Sequence, residues 1–454
     1  MFWDRDLFFA VPKKQSGSLE LRSAMDQPLD RMREFVRRFW KLNRTAVNED
    51  SDRLVNDIRQ KVDCNIIELP SGSECLTWLV PKRWHVREGY LARLNGTRIV
   101  DFQDNPLHLW THSIPFKGTI KRQDLEGHLY HDAKNPQWVP YHYRNGYRYD
   151  AREWGFSLSH EVYKTLSEDE YIVRIDTDVD DEGSLKVIDY WLKGEQPDTI
   201  FVAAHTCHPG QATDGLTNVA VALELFHYLK SLDFRRNSYR LILGPEYFAA
   251  AAFLSRTPQS EIDVLRGGIF LDMFGSGEPF GFQFSYNGNS RLDRAVANVF
   301  SHHVRNHIRR PYRKFLGNDE MFYNGPGFLI PTVGIGCDLH AAYHFSKDDF
   351  DSVNWHQLTK GLELCKKIIE VLETDFIPVP QFRGPLYLSR FDLYIDPKVD
   401  RKGYDGLEHI QILMNGNRSC LDIAQELDIN FFFVRSFCEK LLEKQLAERK
   451  PAEF

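Results

Sequence analysis

The sequence lacks the patterns of several common protein classes. Its seven cysteines are scattered among 454 residues without a Cys-x-x-Cys pair, so neither a disulfide framework nor a cysteine zinc finger is expected. No run of about 18 apolar residues occurs, which argues against a membrane span. A P-loop, a Gly-x-Gly-x-x-Gly turn and a Gly-x-Ser-x-Gly elbow are also missing. The sequence therefore does not indicate nucleotide binding or serine hydrolysis.

The charge balance is slightly acidic. Lys and Arg number 57 against 64 Asp and Glu, a net charge of −7, which argues against a general nucleic-acid-binding protein. The first residues mix acids and bases into their apolar run and show no small-residue cleavage site, so we expect no signal peptide. Together with the scattered cysteines, this predicts a cytoplasmic protein.

The hydrophobic pattern changes along the chain and predicts four units. Residues 1–65 are expected to form an arm and helices that pack on the core. Short apolar runs between turn signals predict an inserted β-rich domain over 66–150. Strands and helices alternate over 151–384, which is typical of an α/β core. Three short helices over 385–454 predict a winged-helix-like domain.

The C-terminal unit does not have the charge of a DNA-binding domain. It carries ten basic and twelve acidic residues from Leu386 to Phe454. DNA-contacting domains normally present a basic face. We therefore expect this unit to dock on another protein or on the core, and nucleic-acid binding is the less favoured alternative.

Residues that can bind a metal ion follow several predicted strands. The segment HTCHPGQATD runs from His205 to Asp214 directly after an apolar strand. Glu246 follows YRLIL, Asp272 ends GGIFLD, and His344 lies in AYHFSKDD. Each residue alone has ordinary structural uses, such as capping a helix. Open α/β sheets, however, place ligands at the carboxyl ends of their strands, and histidine with carboxylates suits zinc. The combination would suit zinc or a similar cation, and one or two such ions could activate water for amide hydrolysis. The spacing alone leaves the structural alternatives open.

The order of these motifs resembles that of the co-catalytic zinc aminopeptidases, and the whole chain is similar to a bacterial aminopeptidase-like family of unassigned substrate. The segments that carry the resemblance are PSGSECLTWLVPKRW (70–84), VDFQDNPLHLWTHSIP (100–115), WVPYHYRNGYRYDAREWGF (138–156), HTCHPG (205–210), GNDE (317–320), YHFSKDDFDSV (343–353) and SCLDIAQELDINF (419–431). The resemblance implies an α/β fold: a zinc-peptidase-like mixed sheet flanked by helices, with an inserted small β-rich domain and a C-terminal winged-helix-like domain.

The resemblance also implies which residues bind the first ion. Asp214 corresponds to the bridging aspartate, and Asp272 corresponds to the terminal aspartate of one site. His208 is the expected first histidine, with His205 as its rival. His208, Asp214 and Asp272 are therefore expected to hold one zinc ion.

A second ion is expected between Asp214 and His344, the late histidine of the family pattern. Glu246 matches one of the family's paired glutamates, and it is either the general base or a further ligand. Asp319 and Glu320 lie in GNDE, which is similar to the family's GSDE, so both are expected near the substrate.

Two positions depart from the family pattern. Gly215 stands where the family has a supporting asparagine, and Tyr247 stands where it has a second glutamate. Tyrosine is a poor zinc ligand at neutral pH because its reference pKa is about 10. Either one metal site is weakened or the base is missing, and the sequence leaves both alternatives open.

The sequence as a whole predicts a zinc-dependent hydrolase of the aminopeptidase type. Its expected substrate is a short peptide or a small aminoacyl or acyl-amide compound, and a homo-oligomer is compatible with the sequence. The first alternative is a biosynthetic amidase or deacylase that uses the same site. The second is a non-catalytic binding protein that acts through its winged-helix-like tail.

Overall fold

The computed structural model describes residues 17–148 and 150–453, with side chains from Pro28 onward. The part of the predicted N-terminal arm before Gly17 lies outside these residues. The helices are α1 Gly17–Phe39, α2 Glu49–Lys61, α3 Arg122–Leu125, α4 His160–Tyr163, α5 Leu216–Ser231, α6 Phe248–Arg256, α7 Gln259–Ile262, α8 Arg291–His303, α9 Glu320–Tyr323, α10 Trp355–Thr374, α11 Arg401–Leu413, α12 Cys420–Glu426 and α13 Phe431–Glu443. In the described part of the chain, no helix is long and apolar enough to cross a bilayer.

The strands form one large sheet and several small ones. They are β1 Asn65–Pro70, β2 Glu74–Cys75, β3 Trp78–Leu79, β4 Arg83–Ala92, β5 Arg98–Asp101, β6 Phe116–Lys121, β7 Leu129–Tyr130, β8 Phe156–Ser157, β9 Glu170–Asp180, β10 Ser184–Leu192, β11 Thr199–His205, β12 Ser238–Gly244, β13 Leu265–Asp272, β14 Phe280–Gln283, β15 Ile308–Arg310, β16 Thr332–Cys337, β17 Phe376–Pro380 and β18 Ala447–Pro451.

The large sheet is mixed and has the order β1-β10-β12-β11-β13-β16-β14-β15. Strands β12, β11, β13 and β16 run parallel to one another, so their carboxyl ends share one edge. Every residue of β11 and β12 is buried, which explains why both read as continuous apolar runs. Helices α5, α8 and α10 pack on one face, and α6 packs on the other. This confirms the predicted α/β fold with a mixed sheet flanked by helices.

A four-stranded antiparallel sheet, in the order β5-β4-β9-β6, stands beside the large sheet. This sheet includes β9, which lies outside the predicted insert of 66–150. Most of β1, in contrast, lies inside those limits but pairs with β10 of the large sheet. Alternate residues of β9 are buried, as in a strand with one solvated face. The predicted domain limits, 1–65, 66–150, 151–384 and 385–454, stay predictions.

The C-terminal helices contact the core. In α8, the side chain of Asn298 accepts a hydrogen bond from the Phe431 amide and donates one to the Ile429 carbonyl, both at 2.9 Å. Arg435 of α13 forms an ion pair of 2.9 Å with Glu370 of α10. These contacts hold the N-terminal half of α13 against the core, as intramolecular docking requires.

Replacing Asn298 with alanine should destabilise the fold by about 2 to 4 kcal/mol, because two buried backbone groups lose their partner. Chemical denaturation followed by tryptophan fluorescence would measure the free energy of unfolding. Asn289→Ala, at an exposed position just before α8, is the matched control. Equal stability of Asn298→Ala and the wild type would contradict this account of the docking.

Candidate metal centre

The predicted ligands meet at the carboxyl edge of the large sheet. His205 is the last residue of β11 and Asp272 is the last residue of β13. Glu246 follows β12, and His344 lies in the loop after β16. Asp214 reaches the same edge from the loop that precedes α5. The parallel strand order thus brings together residues that are distant in the sequence.

Two groups of three ligand atoms form there. In the first ligand set, His205 Nε2 lies 3.3 Å from Asp214 Oδ1 and 3.4 Å from Asp272 Oδ1. In the second ligand set, Asp214 lies 3.7 Å from His208 Nδ1 and 3.2 Å from His344 Nε2. The ligand atoms of each set lie within 4.8 Å of one another. Asp214 belongs to both sets, as a bridging carboxylate would.

In this pairing His205, the rival of His208 in the sequence-based assignment, joins Asp214 and Asp272, and His208 joins Asp214 and His344. His205 points from the end of β11 across to Asp272, because β11 and β13 are adjacent. His208 has a left-handed backbone, with φ of 76°, and faces His344 with ring centroids 5.2 Å apart. Both histidines therefore lie at the site, in different ligand sets.

Burial and charge set the protonation of these groups. Burial disfavours the charged form of His205, but its contacts with Asp214 and Asp272 outweigh this and hold its pKa well above the usual value. Burial holds the pKa of His208 well below the usual value, which leaves the neutral imidazole that metals bind. Burial also opposes the charge of Asp214, but the surrounding histidines outweigh it and hold that pKa well below its usual range.

The residues present fit a zinc ion. Asp214 Oδ2 and His344 Nε2 are buried and 3.2 Å apart, yet among the described residues neither has a hydrogen-bond partner. A cation bound between them would satisfy both atoms. Histidine nitrogen and carboxylate oxygen are also the donors that zinc takes in catalytic sites. Cys207 forms a further close group with His205 and His208.

Glu246 stands beside the ligand sets and belongs to neither. One oxygen, Oε2, accepts a hydrogen bond of 2.7 Å from the Tyr147 hydroxyl and lies 3.9 Å from His208 Nε2. Burial raises the pKa of this carboxyl. Glu246 can therefore accept a proton next to the ligand cluster.

Tyr247, which replaces the second glutamate of the family pattern, points away from the cluster. Its hydroxyl donates to the Gly317 carbonyl at 2.9 Å, and its ring lies 5.5 Å from Trp78. In its place, His208 completes the second ligand set. A His-x-x-His spacing is the signal in the sequence that could have suggested this.

Asp319 and Glu320 lie deep in the fold. An oxygen of Asp319 accepts a hydrogen bond from the Tyr247 amide. Glu320 accepts hydrogen bonds from Arg313, Gln283 and the Asn318 amide. Asp319 thus supports the backbone next to Glu246, and substrate contact by either carboxylate stays a prediction.

Several supporting residues escaped the sequence analysis. Asp348 accepts hydrogen bonds from the amides of Thr213 and Asp214, at 2.9 and 3.0 Å. Asn218 donates to the Thr213 carbonyl and accepts from the Phe274 amide. Asn218 thus ties the loop that carries Asp214 to the loop that follows Asp272, although Gly215 occupies the usual asparagine position.

Arg44 fixes the loop between His205 and Asp214. Its guanidinium is fully buried and donates to the carbonyls of Thr206, His208 and Gln211, at 3.1, 2.6 and 2.9 Å. It also donates to two carbonyls at the end of α1. Burial lowers its pKa to about 10, so it remains charged at neutral pH. No sequence pattern marks this arginine.

A segment of the predicted insert covers the ligand cluster. The Tyr141 amide donates to the His344 carbonyl at 2.8 Å, and the Tyr141 ring lies 5.5 Å from that of His208. The ring of Tyr143 lies 5.0 Å from that of His344. We call residues 139–147 the roof. Beneath it a cavity of about 30 Å³ remains next to Glu246, with room for one or two water molecules.

The chain is similar to known proteins over most of its length. The model of a family described as a domain of unknown function, DUF4910, matches residues 33–375. A Clostridium acetobutylicum protein, provisionally named a polysaccharide biosynthesis protein with an aminopeptidase-like domain, is 25% identical over 427 residues. These cover 90% of this chain and 94% of that protein.

Solved structures share the fold. The crystal structure of a provisionally named peptidase from Clostridium acetobutylicum has a TM-score of 0.84 and 22% identity, and covers 96% of this chain and 100% of that chain. A zinc aminopeptidase from Bacillus subtilis has a TM-score of 0.56 and 13% identity, and the match covers 77% of this chain and 94% of that chain. A peptidase M28 precursor from Shewanella amazonensis has a TM-score of 0.51 and 13% identity, and the match covers 78% of this chain and 96% of that chain. The resemblance to zinc aminopeptidases is thus confirmed for the fold.

Arg44→Met should weaken zinc binding about 10- to 100-fold, because the carbonyls of the ligand-bearing loop lose their shared donor. Competition with a chelating dye would measure the zinc affinity, and thermal unfolding would show that the variant is folded. Arg44→Lys keeps the charge but not the planar fork, so an intermediate loss is expected. A folded Arg44→Met protein with wild-type zinc affinity would contradict this role.

Proposed function

Since the chain belongs to the DUF4910 family and has the fold of the zinc aminopeptidases, we propose that it is a zinc-dependent hydrolase. Its substrate is a short peptide or a small aminoacyl or acyl-amide compound, and it cleaves an amide bond. The observation that carries the proposal is the position of Asp214, which is shared by two ligand sets beside the carboxylate of Glu246, a residue that belongs to neither set.

The two ligand sets would hold two zinc ions. His205, Asp214 and Asp272 would bind one ion, and His208, Asp214 and His344 would bind the other. Zinc in such a pair polarises the amide carbonyl and lowers the pKa of water to about 7. In this assignment His208 takes the place of the family's second glutamate, which supports an intact second site despite Tyr247.

Glu246 is the proposed general base. It would take a proton from the attacking water on Oε2 and return it to the leaving amine, while the water oxygen bonds to the carbonyl carbon and the C–N bond breaks. Its raised pKa favours this exchange, because a base works best when its pKa approaches the working pH. Tyr147 holds the carboxylate in place through its hydroxyl, at 2.7 Å.

The roof limits what can enter the site. Tyr141, Tyr143 and Tyr147 cover the ligand cluster, and the cavity beneath them, about 30 Å³, is far smaller than the roughly 300 Å³ of a small-molecule pocket. The roof must therefore move when a substrate binds, and it would restrict the site to small compounds. A cytoplasmic location and self-association stay predictions.

A biosynthetic amidase or deacylase is the second candidate. The name of the Clostridium relative, which includes polysaccharide biosynthesis, favours it. Such an enzyme would use the same ligand sets and the same base on an N-acyl compound. Turnover of N-acyl compounds without turnover of aminoacyl compounds would identify this candidate.

Elemental analysis of variants tests the two ligand sets. We expect about two zinc ions per wild-type chain and about one in Asp272→Asn and in His344→Ala, because each of these removes one ligand set. Asp214→Asn should lose both ions. His409→Ala, at an exposed position in α11, is the control and should keep both. Retention of both ions in Asp214→Asn would refute the shared carboxylate.

Glu246→Gln should keep its zinc and lose about 10²- to 10⁴-fold in kcat, because the amide cannot accept the proton. Tyr147→Phe should lose less, about tenfold, since the base remains but loses its hydrogen bond. A panel of aminoacyl and N-acyl amides would serve for the rates. Tyr247→Phe, whose hydroxyl bonds to Gly317, is the matched control. Full activity of Glu246→Gln would exclude this glutamate as the base.

A further inference from the structure

A second, larger cavity lies on the other side of Tyr147. Its volume is about 290 Å³, near the lower end of small-molecule pockets, about 300 to 1,000 Å³. The rings of Trp78, Tyr147 and Phe248 form part of its wall. Asn145 and His112 also line it, together with two cationic residues, Lys82 and Arg148. The pocket therefore has an apolar, aromatic wall with a small number of polar groups.

Asn145 is the unusual member of this wall. Its side chain is almost fully buried, at 2% exposure, yet neither Nδ2 nor Oδ1 finds a hydrogen-bond partner in the described part of the chain. Nearly all buried polar side chains in folded proteins are paired, because an unpaired one loses its hydration without replacement. Asn145 thus keeps two donors and an acceptor unpaired on a residue of the cavity wall. Because both atoms are closed to water in this structure, a ligand in the cavity would reach them when the short turn Arg144–Tyr147 moves.

His112 adds an acceptor beside it. Its Nε2 lies 3.3 Å from the Lys82 carbonyl, which can only accept, so Nε2 carries the hydrogen. The neutral ring then has a lone pair at Nδ1, and this atom is buried without a partner among the described residues. Asn145 and His112 together place unpaired donors and acceptors in the cavity wall, and movement of the turn would expose them to a ligand.

The cavity connects to the proposed catalytic machinery through Tyr147. This residue lines both the larger cavity and the small cavity beneath the roof, and its hydroxyl bonds to Glu246. His112, Gly146 and Phe248 also line both spaces. A molecule in the larger cavity would therefore lie next to the amide that Glu246 acts on.

We propose that the larger cavity is the specificity pocket of the enzyme, and that it binds a secondary amide carried on a ring or another compact apolar body. The amide N–H would donate to Asn145 Oδ1 or His112 Nδ1, and the amide carbonyl would accept from Asn145 Nδ2. The aromatic wall would pack against the ring. This inference rests on the proposed function, since it names the part of the substrate beyond the cleaved bond.

Two classes of compound carry such a secondary amide on a compact body: N-acyl amino sugars and N-acyl amino-acid amides. Calorimetric titration of the full-length wild-type protein with N-acetylglucosamine and with N-acetylphenylalaninamide would separate them. Glucosamine and phenylalaninamide, which lack the acyl amide, are the paired controls. We expect one acetylated probe to bind and its unacetylated partner to bind more weakly. If neither acetylated probe binds at millimolar concentration, the inference is wrong.

Asn145→Leu tests the recognition residue directly. The leucine is close in size and removes the unpaired polar group, so we expect Tm to stay the same or rise while affinity for the bound probe falls about tenfold or more. Asn287→Leu, at an exposed position after β14, is the matched control. A lower Tm with unchanged affinity would make Asn145 a structural residue and overturn the proposal.

Gly146→Ala provides a second variant that leaves every polar group in place. A Cβ at this position would lie 3.7 Å from Thr111 Cγ2 and 4.0 Å from His112 Nδ1, so it fits without a clash. It narrows the cavity beside His112, and weaker probe binding at unchanged Tm is expected. Unchanged probe binding in both variants would show that the larger cavity does not bind the probe and would overturn the proposal. Because binding is measured without turnover, a protein that binds the probe but lacks zinc or activity would overturn only the proposed function.

Discussion

The site depends on one buried negative charge, the carboxylate of Asp214. Taking a carboxylate out of water is costly unless charged or polar groups surround it. Three histidines, His205, His208 and His344, surround its oxygens. Asp348 accepts a hydrogen bond from the backbone amide of Asp214. His205 ends β11, and the other residues lie in the loops after β11 and β16, so the carboxylate can only be accommodated once the parallel strands have brought their carboxyl ends together.

The cluster carries more buried acid than buried base. Asp214, Asp272, Glu246 and Asp348 lie close together, and Arg44 is a buried cation whose charge acts on Asp214 and Asp348. Burial raises the pKa of Asp272, Glu246 and Asp348, which shows how poorly the protein alone supports their charges. A divalent cation at the ligand sets would relieve this excess. The same arrangement that destabilises the carboxylates thus favours metal binding.

The backbone at this edge is also under strain. His208, Tyr247, Met273 and His344 all have left-handed backbone conformations, at φ between 56° and 76°. Such conformations cost of order 1 to 3 kcal/mol each outside glycine and persist only where surrounding contacts enforce them. Each of the four follows a strand of the large sheet. The rigid sheet therefore fixes the loops, and the loops can turn sharply enough to aim their side chains at one point.

The sequence allowed the metal ligands at the sheet edge to be predicted more fully than the roof that covers them. Asp214, Asp272 and His344 follow apolar strands, and strand order alone brings such residues together. Which ligand set His205 joins and which His208 joins could not be predicted, because this depends on the left-handed turn at His208. Arg44 and Asn145 gave no signal, since each acts only through contacts between segments that are distant in the chain.

The roof and the larger cavity show why those contacts matter for function. The metal ligands and Glu246 lie on strand ends that many related folds share, so they determine the type of reaction and leave the substrate open. Tyr147 and Asn145 lie in one short turn of the roof, Arg144–Tyr147. One residue of that turn bonds to the proposed base, and the other places an unpaired amide in the adjoining cavity. A single movement of this turn would therefore change both the position of Glu246 and the access to the cavity, which couples substrate binding to the chemistry.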